Sequence, residues 1–200
     1  MAIGINDFYI ERNCKTTHIF YVDSVKTFLF PDSIYPQINI VIAEGKTTAI
    51  VGVSGSGKTT LLKLLLKFYD RYQGDIFVGS TLYRNGDSQG LRFKYISPSL
   101  WRKQCGAVLQ DGYIFKDTIA RNIAVGQEDI TYSSLLSSCE TANILDFIES
   151  LPNGFYTELG SEGVGLSQGQ KQRILIARAV YKNPDYLFFD EATNSLDANN

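Results

Sequence analysis

The sequence predicts an α/β fold with a mainly parallel core sheet and an antiparallel β region at the N-terminus. Two observations lead to this class. From residue 47 onward, short apolar runs alternate with helical patterns, an order typical of sheets covered by helices. Tyr186–Phe189 has no polar face, which suits a parallel strand that is buried on both sides.

The N-terminal part contains strand patterns followed by one strong helix. Residues 1–18 have weak periodicity, and we expect a tail or an irregular edge there. Ile19–Phe30 is rich in β-branched and aromatic residues and Ile38–Ile42 alternates, so both are predicted strands. Thr47–Val51 is a short apolar strand, and the leucine-rich Lys58–Phe68 is a helix.

The rest of the chain continues the alternation. Gly74–Val78 and Cys105–Leu109 are predicted strands, separated by a long turn-rich excursion over 79–98. Helices are predicted at Thr118–Ile123, Ser133–Cys139, Ala142–Ile148 and Gln168–Lys182, the last of them stopped before Pro184.

Composition and charge exclude several functions. The net charge of −2 leaves no basic footprint for nucleic acid and no cationic membrane face. The cysteines lack metal-site spacing, and His18 is the only histidine, so a histidine-based metal or catalytic site is excluded. No signal peptide is recognisable, and no run reaches the roughly 18 apolar residues that span a bilayer. We therefore expect any membrane role to come through other domains or subunits.

A phosphate-binding loop follows the strand Thr47–Val51. Gly52–Thr59 reads GVSGSGKT and fits the pattern G-x-x-x-x-G-K-[ST] at every fixed position. The glycines let backbone N–H groups turn toward phosphate oxygens, and the helix N-terminus adds partial positive charge. Lys58 supplies a full charge toward the β- and γ-phosphates, and the Thr59 hydroxyl can ligate Mg²⁺.

A pair of carboxylates, Asp190 and Glu191, ends the apolar strand Tyr186–Phe189. Ligands of α/β sheets gather at the carboxyl ends of the strands. Asp190 is therefore predicted to hold Mg²⁺ through water, opposite Thr59. Glu191 is predicted to accept a proton from the attacking water.

The pentapeptide LSQGQ, residues 166–170, opens the predicted C-terminal helix. Ser167 and Gln170 have the spacing of a capping box, in which each side chain binds the other residue's backbone N–H. Capping boxes are common, so the pentapeptide alone does not separate a structural cap from a phosphate-binding helix start.

Together these motifs resemble the ATP-binding cassette (ABC) family. LSQGQKQR is similar to its signature motif, GVSGSGKT to its Walker A motif and YLFFDEAT to its Walker B motif. Ser195-Leu196-Asp197 resembles the D-loop, and Gln110 falls at the Q-loop position. The match covers roughly residues 19 to 200. It implies a P-loop NTPase with an inserted α-helical subdomain at about 112–170 and a domain over 19–200.

The resemblance implies ATP and Mg²⁺ as ligands and assigns most of their contacts. The implied nucleotide-binding residues are Phe30, Gly52, Ser54, Gly55, Ser56, Gly57, Lys58, Thr59, Thr60 and Gln110. The implied metal residues are Thr59, Gln110 and Asp190, and the implied catalytic residues are Glu191 and Lys58. Phe30 would stack on adenine, with Tyr35 as second candidate.

The family also implies a head-to-tail dimer in which ATP lies between Walker A of one subunit and the signature motif of the other. The signature residues would be Ser167, Gln168, Gly169 and Gln170, with Asp197 in the D-loop. Gln168 departs from the commonest residue, glycine, but the serine and second glycine are kept. Because Ser167 is far along the chain from the phosphate loop, its phosphate is expected to belong to another subunit.

The run after Gln110 resembles exporter-type cassettes, with Phe115 and a TIARNI segment over 118–123. In exporters this region contacts the coupling helices of a membrane domain, so we expect such a partner and a place on the cytoplasmic face of the cell membrane. Gly160–Gly163 is similar to the exporter X-loop, but its acidic residue comes one position late. No nucleic-acid partner is expected.

The family's switch histidine lies beyond the D-loop, and the chain ends at Asn200. We therefore expect a chain truncated after the D-loop, with little or no turnover as an isolated fragment. Two alternatives stay open: a soluble non-transport ABC ATPase, and a catalytically silent regulatory cassette. The interval between phosphate loop and signature has no coiled-coil heptads, and Glu191 is present, which argues against each in turn.

Overall fold

A computed structural model describes residues 8–11, 19–27, 38–43, 45–79, 90–160 and 165–190. Its strands are β1 Phe8–Glu11, β2 Ile19–Thr27, β3 Ile38–Ile42, β4 Thr48–Ile50, β5 Tyr72–Gly79, β6 Leu91–Arg92, β7 Cys105–Val108 and β8 Tyr186–Asp190. Its α-helices are α1 Lys58–Leu65, α2 Pro98–Lys103, α3 Ile119–Ile123, α4 Tyr132–Thr141, α5 Leu145–Glu149 and α6 Gln168–Tyr181, and single 3₁₀ turns lie at Phe93–Tyr95 and Gly154–Tyr156.

The core sheet has the order β4-β1-β8-β7. β7 and β8 are parallel, whereas β1 is antiparallel to both of its neighbours. Ile50 at the end of β4 and Asp190 at the end of β8 both pair with Phe8, so these two carboxyl ends are level. Three of the four strands therefore point the same way, which confirms the mainly parallel α/β class.

β1 lies inside this sheet, whereas the sequence predicted a tail or an irregular edge over residues 1–18. For the stretch Phe8–Glu11 that expectation is wrong. Four residues are too few to show a periodic pattern, and the two neighbouring strands that pair with them are remote in sequence. The aromatic and β-branched residues Phe8, Tyr9 and Ile10 were the available signal.

The second sheet has the order β3-β2-β5-β6, and all of its pairings are antiparallel. This confirms the antiparallel β region predicted for the N-terminal part, with β5 and β6 added from further along the chain. The register of β2 shifts after Val22 against β3 and after Asp23 against β5, which marks a β-bulge at one place on β2.

α1 packs its leucines into the core between the two sheets. Leu62, Leu64 and Leu65 are fully buried, in one cluster with Phe93 of the 3₁₀ turn and Phe188 of β8. Burying a leucine side chain stabilises a fold by about 1.5–3 kcal/mol. The leucine-rich helix therefore fixes the loop at its N-terminus to the sheet.

α2 is a helix that the sequence did not predict. Pro98 occupies its first turn, and Trp101 is buried with its indole Nε1 donating to the Leu65 carbonyl at 2.7 Å. Arg102 donates to the Lys67 carbonyl at 3.0 Å. α2 therefore satisfies carbonyls at the C-terminal end of α1 that would otherwise lack partners. A six-residue helix next to a turn-rich segment has too little periodicity to be recognised.

α3, α4, α5 and α6 share a second apolar core. It includes Ile119, Leu135, Cys139, Ile148 and Ile174. Asn143 has a φ of 52°, a left-handed conformation that ends α4. The predicted helix Ala142–Ile148 therefore begins later, as α5 Leu145–Glu149.

The two described cysteines, Cys105 and Cys139, are buried. Burial raises the pKa of Cys139 to about 12 and raises that of Cys105 as well. Thiols in such surroundings are inert at neutral pH. Within the described segments, no helix combines the length and apolarity needed to cross a bilayer.

Candidate nucleotide-binding site

The loop between β4 and α1 has glycines where the backbone is left-handed. Gly55 has a φ of 80° and Gly57 a φ of 91°. A Cβ on Gly52 would lie 2.6 Å from the Ser56 hydroxyl oxygen, so the loop closes tightly there. Gly57 is the N-cap of α1 and provides no side-chain hydrogen bond. No side chain therefore caps the helix start, and its amides can receive an anion.

Lys58 extends back over this loop. Its Nζ donates to the carbonyl of Gly52 at 2.7 Å and to that of Val53 at 3.0 Å. The Lys58 ammonium is thus held by neutral carbonyl oxygens of the same loop that would bind a phosphate. A phosphate oxygen there would offer a charge-assisted bond of about twice the strength of a neutral one.

Thr59 and Asp190 meet across the level ends of β4 and β8. The Thr59 hydroxyl donates to Asp190 Oδ1 at 3.2 Å. Asp190 is only 3% exposed, and its Oδ2 has no hydrogen-bond partner among the described residues. A buried carboxylate oxygen without a partner is costly unless a ligand satisfies it. A hydroxyl beside a carboxylate is an oxygen pair that suits Mg²⁺, which fills its other positions with water and phosphate.

No group of three or more acidic, cysteine or histidine side chains with metal-site geometry exists among the described residues. Thr59 and Asp190 supply two oxygen ligands, and Mg²⁺ is commonly held by one or two protein oxygens together with substrate phosphates and water. Gln110, the other predicted metal residue, is exposed two residues beyond β7. Because β7 is parallel to β8, Gln110 lies toward the same edge of the sheet.

The start of α6 has the predicted capping box. Ser167 Oγ accepts the Gln170 N–H at 3.2 Å, and Gln170 Oε1 accepts the Ser167 N–H at 2.9 Å. Ser167 and Gln168 are exposed, and the first turn of α6 contains no acidic residue. Within the described part of the chain, the hydrogen bonds of Ser167 stay inside this first turn.

The structure therefore brings Thr59 and Asp190 together and places the phosphate loop and Gln110 at the same sheet edge. Several predicted residues lie outside the described ranges: Phe30, Tyr35, Glu191 and Asp197. Gly169, Gln170 and Thr60 lie in the first turns of α6 and α1 respectively.

The sequence analysis gave Arg178 no role and included Asn122 only within the exporter-like TIARNI run over 118–123. The structure joins the two residues in one hydrogen-bond network beside Phe115. The place of Asn122 in that run was the available signal for it.

Comparisons with known proteins agree with this geometry. The family model described as "ABC transporter" matches residues 35–194. The chain is 41% identical over 166 residues to the putative multidrug export ATP-binding/permease protein YgaD of Bacillus subtilis (strain 168), covering 83% of this chain and 27% of that protein. It is 44% identical over 160 residues to the ATP-dependent lipid A-core flippase of Saccharophagus degradans, covering 80% and 26%.

A solved structure titled as a bacterial Atm1-family ABC exporter with ATP bound is similar in fold. The TM-score is 0.76 with 32% sequence identity, and the match covers 94% of this chain and 32% of that one. The chain thus spans about a quarter of the two curated relatives named above. The chain belongs to the ABC transporter family, as an ATPase domain of the exporter type.

Proposed function

We propose that this domain binds ATP with Mg²⁺ and hydrolyses it to power export by a membrane transporter. The observation that carries the proposal is the meeting of Thr59 with the buried Asp190, beside a glycine-lined helix start that no side chain caps. Family membership supports the ATPase activity, and the exporter relatives support the coupling to transport.

The phosphate loop holds the triphosphate in this proposal. The amides of Gly55, Gly57 and the first turn of α1 face the β-phosphate, and Lys58 exchanges its carbonyl partners for β- and γ-phosphate oxygens. Thr59 and Asp190 would hold Mg²⁺, which supplies charge that neutralises the phosphates. The other proposed nucleotide contacts are Gly52, Ser54, Ser56, Thr60 and Gln110, with Phe30 at adenine.

Hydrolysis needs a water placed in line with the γ-phosphorus. The water oxygen forms a bond to that phosphorus, and the bond to the β,γ-bridging oxygen breaks, releasing ADP and phosphate. We assign the proton of the water to Glu191, a carboxylate that directly follows Asp190 in the sequence and can act as a general base. Lys58 stabilises the charge that develops on the transferred group.

A second ATPase domain completes the binding site around the γ-phosphate. The proposed contacts of that domain are Ser167, Gln168, Gly169 and Gln170, at a helix start without acidic residues in its first turn. Asp197 of the D-loop is a further proposed contact. The Ser167 hydroxyl already accepts one bond, but it keeps its own proton to donate. The site then depends on two domains, whether they are identical or different chains.

The membrane domain docks beside the segment that follows Gln110. Tyr113 and Phe115 are 66% and 45% exposed, with ring centroids 5.3 Å apart in an edge-to-face pair. Exposed aromatic pairs of this kind are typical of protein interfaces. The partner is a coupling helix of the membrane domain, which places this domain at the cytoplasmic face of the membrane.

Lys58→Met in the complete transporter tests the ATPase assignment. We expect ATP turnover to fall about 10²–10³-fold, the usual loss of one positioned charge-stabilising group. Lys63→Met is the matched control, because Lys63 lies on the same helix in its last turn, away from the loop. Unchanged turnover in the Lys58 variant, measured as phosphate release, would contradict the proposal.

A further inference from the structure

Arg178 of α6 ties three parts of the molecule together. Its Nε donates to the backbone carbonyl of Asn122 at 2.7 Å, one Nη donates to the carbonyl of Tyr113 at 2.8 Å, and the other to Asn122 Oδ1 at 3.2 Å. The guanidinium also lies over the Phe115 ring, 5.3 Å from its centroid. One side chain thus joins α6, α3 and the exposed aromatic pair.

Asn122 completes the connection from the other side. It is fully buried, and its Oδ1 accepts the Phe115 N–H at 2.8 Å. Its Nδ2 donates to the carbonyls of Phe115, Asp117 and Thr118 at 3.0–3.2 Å. The backbone on either side of Phe115 is therefore held by one amide group, which Arg178 in turn orients.

Close packing adds to these hydrogen bonds. A Cβ on Gly112 would lie 2.2 Å from Leu175 Cδ1, and a Cβ on Gly106 would lie 2.2 Å from the Ala179 carbonyl oxygen. Leu175 and Ala179 flank Arg178 on α6. Gly106 and Gly112, on either side of Gln110 in the sequence, therefore both contact α6 closely. Neither contact leaves space for the segment to shift along the helix.

This use of an arginine is costly for stability alone. Burial lowers the pKa of Arg178, and in the described part of the chain its hydrogen bonds all go to uncharged oxygens, with no ion pair. A partly desolvated cation without an anion costs free energy that an apolar residue would not. The planar fork of donors, however, fixes two segments in one geometry, which a methylene chain cannot do.

We propose that Arg178 is a positioning residue that couples the Ser167 start of α6 to the Tyr113 and Phe115 pair. The proposal rests on the function proposed above, in which phosphate meets Ser167 and a partner helix meets the aromatic pair. Arg178 lies eleven positions after Ser167, a rise of about 16 Å along α6. In this proposal, a movement of the N-terminus of α6 displaces the Tyr113 and Phe115 pair through the hydrogen bonds of Arg178 and Asn122.

Hydrogen–deuterium exchange of the complete transporter, with and without Mg²⁺-ATP, tests the coupling. In the parent protein we expect ATP to change exchange in two peptides, 52–60 and 112–118. In Arg178→Met the change at 52–60 persists, and the change at 112–118 falls by more than about threefold. The KM for ATP stays within about twofold, because Arg178 contacts no part of the phosphate loop in this scheme.

Arg173→Met is the control, since Arg173 lies on the same helix and also donates to a backbone carbonyl, that of Asn143. The Arg173→Met variant should keep the full ATP-dependent change in exchange at 112–118. Arg178→Lys keeps the positive charge but loses the planar guanidinium, and should give an intermediate ATP-dependent change in exchange at 112–118. If Arg178→Met does not assemble, the Arg178→Lys result tests the coupling.

A full ATP-dependent change at 112–118 in both Arg178 variants would overturn the coupling, as would its absence from the parent while 52–60 responds. No response at 52–60 in the parent would instead overturn the proposed ATP binding itself.

Discussion

Two helix starts in the described part of the chain are suited to phosphate, the half-buried start of α1 and the exposed start of α6, and they differ in how their amides are satisfied. The N-cap of α1 is Gly57, which offers no side chain, and the side chain of Lys58, the first residue of α1, extends back over the loop. α6 begins at Ser167 with a complete capping box, so its own side chains occupy the first turn. One start depends on a ligand from outside, while the other is already stable alone.

This difference teaches what each start is suited to do. The uncapped start of α1 retains amides that only a bound anion can satisfy in place of water, which favours lasting occupation by nucleotide. The capped start of α6 depends less on a ligand, because Ser167 and Gln170 each accept the other residue's N–H. In the proposed dimer, this start can therefore bind a phosphate when two domains close and release it when they separate.

Glu191→Gln separates ATP binding at the two helix starts from the hydrolysis step, and it has the largest expected effect on turnover. We expect turnover to fall about 10²–10⁴-fold because the water loses its proton acceptor. ATP stays bound and the paired state accumulates, which size-exclusion chromatography with Mg²⁺-ATP can measure. Glu140→Gln, an exposed position on α4, is the control. Turnover like that of the parent would remove Glu191 from the reaction.

Ser167→Ala sharpens the contrast between the two starts. Loss of the cap costs about 1 kcal/mol of stability, and loss of the hydroxyl is expected to lower turnover about 10²-fold. Equilibrium ATP binding by a single domain should not change. Thr118→Ala removes the cap of α3, where Oγ1 accepts the Arg121 N–H at 3.2 Å. If the two variants lose turnover equally, Ser167 is only a cap.

Gly55→Ala tests whether the loop before α1 needs its left-handed backbone. A φ of 80° with a side chain costs about 1–2 kcal/mol, so ATP affinity should weaken about tenfold if the bound loop keeps this shape. Gly126 has a φ of 76°, and like Gly55 it has open space where a Cβ would stand, so Gly126→Ala should leave ATP affinity intact. Equal effects in a titration with ATP would argue against a preformed loop.

Local spacing explains what the sequence could predict. The phosphate loop and the Ser167–Gln170 box are encoded within eight and four consecutive residues, so their patterns are visible without the fold. The place of β1 inside the sheet and the capping of α1 by Trp101 depend on pairings between remote segments. Arg178 and Asn122 are 56 residues apart, and nothing in the local sequence of either residue indicates their contact. The contact forms because α3 packs against α6 in the fold.

The central claim is that Lys58 and Ser167 act on different ATP sites, each of which needs a second ATPase domain; where that domain is a second copy of this chain, Lys58 and Ser167 act on one ATP from different copies. Coexpression of two differently tagged transporters, Lys58→Met and Ser167→Arg, tests it directly, since each alone should be inactive. A mixed pair regains one intact site, so a random mixture should recover up to about a quarter of the parental ATP turnover, and isolated mixed pairs about half. No recovery in isolated mixed pairs would mean that both residues serve the same copy, and would contradict the account.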